Sequence, residues 1–277
     1  MTPTATPPAT TTDDPRDPIR ERYGRIAESN TATGCSSHSS CCPPSGDIST
    51  ALGYSPADLA ALPEGADMGL GCGNPHSIAQ LRPGETVLDL GSGGGIDCLL
   101  AARQVGPTGH VIGVDMTAAM VAKARANAAS AGVDNLEFRL GEMEHMPVED
   151  NSVDVIISNC VINLSPDKDA VFSEAFRVLK PRGRLCISDI VLLEELPKEI
   201  KENLEQWAGC IAGALNENVY LDKIHAAGFV KVTADRSPVP FCAEIETPEA
   251  QKETKNYIDL SGKVASIRAK AFKPGKP

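Results

Sequence analysis

VLDLGSGGGID, residues 87–97, runs from an apolar strand through a glycine turn into a helix. TVLDL (86–90) has the short apolar pattern of a buried strand. Gly91, Gly93 and Gly95 allow a tight turn and a close approach of a ligand to the backbone. Their spacing is G-x-G-x-G, not the G-x-G-x-x-G that cradles a pyrophosphate. After a helix over 96–104, HVIGVD (110–115) is a second strand that ends in an acid. Asp115 falls about 20 residues beyond the turn, where a carboxylate can accept both hydroxyls of a ribose. Strand, glycine turn, helix, strand and terminal acid in this order predict a nucleoside-type ligand at the carboxyl ends of parallel strands.

The alternation continues downstream. A helix is expected over 118–131, strands over 136–140 and 153–159, a helix over 169–179 and a strand over 184–190. The strands over 86–90, 110–115 and 153–159 are largely apolar, as in sheets covered on both faces. The fold expected is α/β, a doubly wound and mainly parallel sheet, with a smaller C-terminal α+β part. In that part a long amphipathic helix is expected over 198–215 and another over 220–227. Strands are expected over 229–234 and 239–245, and VASIRAKAF (264–272) reads as a strand with a helix as the alternative. Upstream, short helices are expected over 18–28 and 56–62, joined by a Ser-, Gly- and Pro-rich loop over 29–50. Residues 1–17 are low-complexity and expected to be disordered. The divisions read are a tail (1–17), a cysteine-bearing segment (18–75), a ligand-binding α/β domain (76–191) and a C-terminal part (192–277).

Composition excludes several classes. Thirty-seven acidic against 26 basic residues leave a net charge of −11, which repels nucleic acid and anionic lipid. No apolar run approaches the roughly 20 residues of a membrane helix, and no secretory leader is read, so a cytoplasmic monomer is expected. Nine cysteines in 277 residues do not suit a small secreted disulfide scaffold. They suggest metal binding, redox work or packing. A zinc site from Cys41, Cys42, Cys72 and His76 is conceivable, but no C-x-x-C is present.

DLGSGGGID (89–97), Asp115 and the loop GEMEHMP (141–147) resemble the motifs of class I S-adenosylmethionine-dependent methyltransferases. The resemblance implies S-adenosyl-L-methionine as cofactor. It implies that Asp89, Gly91, Gly93, Gly95, Asp115, Met116, Glu142, Met143 and Asn159 hold it. Three further stretches, GLGCGNP (69–75), SNCVINLSPDK (158–168) and WAGCIAGAL (207–215), resemble the arsenite methyltransferases. YGRIAES (23–29) and SCC (40–42) are similar to that family's N-terminal segment, so the resemblance runs from about Tyr23 to the C-terminus.

What the resemblance implies is methyl transfer to thiolate-bound trivalent arsenic, with Cys72, Cys160 and Cys210 as the ligands. Soft thiolates select such a soft centre. A further cysteine of the N-terminal loop would pair with Cys72 to return the methylated arsenic to the trivalent state. That loop offers Cys35, Cys41 and Cys42, with Cys41 and Cys42 the foremost candidates. A cellular thiol such as thioredoxin or glutathione would reopen the disulfide. Cys98, Cys186 and Cys242 read as packing. Two alternatives stand beside this reading: a carbon- or oxygen-methyltransferase of a small organic acceptor, and a non-catalytic arsenite-sequestering protein.

Overall fold

A computed structural model describes residues 14–29, 48–196, 211, 213–238, 242–245, 256–259 and 262–275. Its centre is a seven-stranded sheet in the order β3-β2-β1-β4-β5-β9-β6. Five strands run parallel: β1 (Thr86–Leu90), β2 (His110–Asp115), β3 (Leu136–Leu140), β4 (Val153–Asn159) and β5 (Leu179–Leu192). At the far edge β9 (Val264–Phe272) lies antiparallel between β5 and β6 (Val230–Pro238). A separate two-stranded piece joins β7 (Cys242–Ile245) to β8 (Asn256–Asp259).

Side chains alternate across the sheet with a period of two. Leu88, Leu90, Ile112, Val114 and Ile156 pack on one face with α7 (Lys168–Val178) and α8 (Glu217–Ala226) through Phe172, Ala175, Tyr220 and Ile224. Val87, Val111, Val155 and Ile157 pack on the other with α5 (Ile96–Val105) and α6 (Ala118–Ala131). The sheet is therefore covered on both faces, which is why its central strands β1, β2 and β4 read as largely apolar runs, while edge strand β3 carries Glu137 and Arg139. Chain order reverses at β1, whose neighbours are β2 and β4, and the carboxyl ends of these strands open a crevice there. Before the sheet, α1 (Asp17–Ser29) packs against α6. Short helices α2 (Ile48–Ala51), α3 (Pro56–Ala60) and α4 (His76–Ala79) precede β1, and Ser49 of α2 lines the crevice. Among the described residues no helix is long and apolar enough to cross a membrane.

Some boundaries differ from expectation. β5 continues to Leu192 because β9 pairs with it as far as Val264. Within 264–272 the strand is formed, and Ala265, Ile267, Ala269 and Ala271 all enter the core. The long helix expected over 198–215 does not reach Leu215. Leu192 N–H donates to Leu215 C=O at 2.8 Å, so the main chain there pairs with the end of β5 instead. The rest of that helix, and residues 1–13 of the tail expected over 1–17, lie outside the described residues; residues 14–17 are placed, with Asp17 opening α1 and Arg16 paired with Asp14 and Glu142.

Gly113 shows how tightly β2 and β3 are fitted. It sits opposite Phe138, and a methyl group on it would lie 2.5 Å from the Phe138 ring and 2.9 Å from Cys98 Sγ. Gly113→Ala is expected to cost about 1–3 kcal/mol of unfolding free energy, as overpacked cores do. Urea unfolding of the two proteins measures it; an unchanged midpoint would show that Phe138 yields freely.

Candidate functional site

The crevice is built on the turn after β1. Gly91, Gly93 and Gly95 have φ of +67°, +50° and +92°, a region that side chains rarely adopt. At Gly91 a Cβ would also meet Val161 at 2.6 Å, so the chain after β4 crosses directly over the turn. Gly91 and Ser92 N–H groups both donate to Val114 C=O. Asp115 closes the far side, its carboxylate accepting from Gly93 N–H at 2.9 Å and Thr117 N–H at 2.8 Å. The turn and the acid read from the sequence are thus one hydrogen-bonded unit.

Three carboxylates lie in or under this turn: Asp89, Asp97 and Asp115. Burial pushes Asp115 up from the usual range against two backbone hydrogen bonds. Burial pushes Asp89 up too, and the charge of nearby Asp97 adds to it. Asp97 and Asp115 line the crevice. Asp89 is fully enclosed beneath it and accepts from Cys98 Sγ at 3.2 Å. Such a group of acids suits a ligand that brings positive charge. Ser92 adds a buried hydroxyl without a hydrogen-bond partner on the same wall. S-adenosylmethionine, with its sulfonium, ammonium and ribose hydroxyls, fits this donor and acceptor set.

Met116, Met143 and Asn159 line the crevice. Glu142 faces away to α1, where Arg16 and Arg20 each approach it to 2.5 Å. These ion pairs fasten α1 over the crevice, and Arg16 and Tyr23 contribute to its wall. Arg16, Tyr23, Tyr54, Asp97 and Glu144 were not among the residues expected here. Asp97, directly after the glycine turn, carried the clearest signal; α1 was legible as a helix and by YGRIAES (23–29), but its place over the crevice was not, because that depends on α6.

Cys160 directly follows β4 and has φ +60°. Its N–H donates to Ser188 C=O at 2.7 Å. A left-handed non-glycine residue costs about 1–3 kcal/mol and marks functional sites. Cys72, 88 residues earlier, comes to the same place. The sulfurs of Cys72 and Cys160 and a carboxylate oxygen of Asp189 all lie within 4.8 Å of one another, and all three residues are buried. Asp189 was not expected. It accepts from Asn163 Nδ2 at 2.9 Å, Ile190 N–H at 2.8 Å and the Tyr220 hydroxyl at 3.1 Å. Its signal in the sequence is a lone acid inside the apolar run RLCISDI (184–190).

Cys98 and Cys186 are packed in the core, where burial raises their thiols, Cys186 to about 12. His76 lies 3.2 Å from Asp97, at the acid cluster and apart from the Cys72, Cys160 and Asp189 group. Cys35, Cys41, Cys42 and Cys210 lie outside the described residues, as does the side chain of Cys242.

Known proteins resemble the chain in sequence and in fold. Residues 81–259 match the family model described as a methyltransferase domain. The arsenite methyltransferase of Halobacterium salinarum is 47% identical over 95% of this chain and 68% of its own length. That of Aquipseudomonas alcaligenes is 38% identical over 76% of this chain, which spans 61% of that protein. The crystal structure of an arsenic(III) S-adenosylmethionine methyltransferase from Chlamydomonas reinhardtii superposes with a TM-score of 0.58. It is 35% identical and aligns over 84% of this chain and 75% of that one.

Burial pushes the Asp189 carboxyl up to about 6, although its hydrogen bonds and Lys168 oppose the rise. A raised acid favours the folded state at low pH. That contribution is complete below about pH 4 and fades as pH rises through about 6. The shift is worth about 3 kcal/mol across the window. Asp189→Asn should therefore flatten the fall in stability between pH 4.5 and pH 7.5. Urea unfolding at the two pH values tests this, and parallel profiles for both proteins would refute it.

Proposed function

The chain belongs to the arsenite methyltransferases, S-adenosylmethionine-dependent enzymes on the class I methyltransferase fold, and from that premise we propose that Cys72, Cys160 and Cys210 hold trivalent arsenic at the mouth of the cofactor crevice. The observation that carries the reading is the meeting of Cys72 and Cys160 beside the glycine turn. The two thiols, buried in one apolar cluster, come from segments 88 residues apart, and one of them sits on a left-handed backbone.

When bound, S-adenosylmethionine supplies a methyl group on a positively charged sulfur, open to attack by a lone pair. The residues of the crevice hold and orient. Asp115 accepts ribose hydroxyls, as acids at this position do. Asp97 offers negative charge beside the glycine turn, and Met116 and Met143 supply soft apolar walls. The thiols act on arsenite. Each S–H displaces one hydroxyl from arsenic, releasing water and forming an As–S bond. Arsenic keeps its lone pair, and no proton leaves it when it attacks, so this step calls for no general base. The protein's main contribution is alignment, which can supply several orders of magnitude in rate.

Methyl transfer raises arsenic formally from the trivalent to the pentavalent state. A cysteine of the N-terminal loop, Cys41 or Cys42 foremost, and Cys72 then return two electrons and close as a disulfide. A thiol reductant, thioredoxin or glutathione, reopens it by exchange. The products are methylated arsenicals.

Incubation with arsenite, methyl-labelled S-adenosylmethionine and a thiol, followed by separation of the arsenic species, tests the assignment. Wild type should give methylated arsenic. Cys72→Ser, Cys160→Ser and Cys210→Ser should each give less than about one per cent of it, the scale lost when a reactant is misplaced. Cofactor affinity should stay near wild type in all three. Labelled arsenic from a serine variant at wild-type rate would remove that cysteine from the site.

A further inference from the structure

Asn159 stands at the end of β4, immediately before Cys160, and its carboxamide works on the opposite partner of the thiol pair. Oδ1 accepts from Cys72 N–H at 3.1 Å, and Nδ2 donates to Gly73 C=O at 3.0 Å. One side chain thus takes the main-chain donor and acceptor that flank the Cys72 side chain, as a neighbouring strand would. The fit is close. A methyl on Gly71 would lie 2.7 Å from Asn159 Nδ2, and one on Gly73 would lie 2.8 Å from Ser188 Cβ. From the β9 side, Ser266 Oγ donates to Cys72 C=O at 2.9 Å. Residues 71–73 are therefore pressed onto the ends of β4, β5 and β9, and glycines on both sides of the cysteine make that approach possible.

The same amide also reaches the cofactor side. Asn159 Nδ2 lies 2.9 Å from Tyr54 Oη and 3.3 Å from Asp97 Oδ2, while the Tyr54 hydroxyl donates to Asp97 Oδ1 at 2.7 Å. Tyr54 and Asp97 line the crevice. One amide group shares its two protons among the Cys72 loop and these two residues.

We propose that Asn159 is a positioning residue for the arsenic site: its carboxamide sets Cys72 against Cys160 and ties both to the Tyr54–Asp97 wall of the cofactor crevice. The proposal rests on the assignment of Cys72 and Cys160 as arsenic ligands. It differs from a role in holding the cofactor, because the carboxamide is spent on the protein's own loop and wall. Loss of the amide frees residues 71–73 and widens the range of sulfur–sulfur distances. Arsenic is then bound less tightly and its lone pair is less well aimed.

The probe is phenylarsine oxide, which takes two thiols and needs no methyl transfer. Its affinity and that of S-adenosylmethionine are measured by calorimetry on wild type, Asn159→Ala, Ser266→Ala and Cys72→Ser. Loss of a buried hydrogen-bond pair predicts roughly tenfold or more weaker phenylarsine oxide binding in Asn159→Ala, with cofactor affinity within about threefold. Arsenite methylation should fall about a hundredfold in kcat, the scale of a misplaced reactant. Ser266→Ala holds the other side of Cys72 and lies away from the crevice, so it should show the same selective loss, smaller in size. Weakened cofactor binding with phenylarsine oxide unaffected would overturn the proposal and make Asn159 a cofactor residue. Unchanged binding of both would overturn it as well. If Asn159→Ala does not fold, Ser266→Ala decides: selective loss supports the positioning of Cys72 through its main chain, and none overturns it. Cys72→Ser separates the two layers, since arsenite methylation at the wild-type rate there would remove Cys72 from the arsenic site and with it the premise of the proposal.

Discussion

The chain can use both β2 and β4 as neighbours of β1 only by leaving the strand in opposite directions, and the crevice exists because of that divergence. β1 exits into the glycine turn, and β4 exits into Asn159 and Cys160. The two exits cross at Gly91, where Val161 occupies the space of a Cβ. A side chain at Gly91 would push the loop after β4 off the turn. The cofactor wall and the thiol wall would then separate. The glycine turn and Cys160 hang from these two strand ends, and Cys72, Asp115 and Asp189 are brought to them from elsewhere in the chain.

The electrostatics follow from the same geometry. The carboxyl ends of buried strands bring Asp89, Asp97, Asp115 and Asp189 into a region with little water. The protein compensates each in a different way. Asp115 takes backbone N–H groups, Asp89 a thiol, and Asp189 an amide, a main-chain N–H and a phenol. What is left is a negative potential suited to a cationic cofactor. On the outer side the guanidinium groups of Arg16 and Arg20 neutralise Glu142 and Glu144 and hold α1 across the crevice. At the other end the buried thiols share their place with apolar side chains and with the Asp189 carboxyl. One crevice thus brings acids to a sulfonium compound and thiols to a metalloid.

Much of this was legible in the chain. Strand and helix periods placed β1 to β4, α5 and α6 within a residue or two, because each buries a face of its own and its pattern is local. The glycine spacing and Asp115 identified the ligand end of the sheet. Cys72 and Cys160 were singled out by their motifs. The end of the 198–215 helix was not legible, since main-chain pairing between Leu192 and Leu215 competes with helix formation there. Asp189 was hidden inside a strand, where an acid reads as an exception without a partner. Tyr54 and Arg16 sit in segments with no periodic signal.

The sequence by itself determined the order of strands and helices, the place of the turn and the residue types available for chemistry. These depend on neighbours one to four positions apart, and such neighbours are written in the chain. Tertiary structure alone decided that Cys72 and Cys160 meet, that Asp189 lies beside them, and that Asn159 grips the loop across 87 positions of chain. Those contacts arise from stacking separate strands side by side. The register between strands is set by the packing of both faces at once, and no local spacing encodes it.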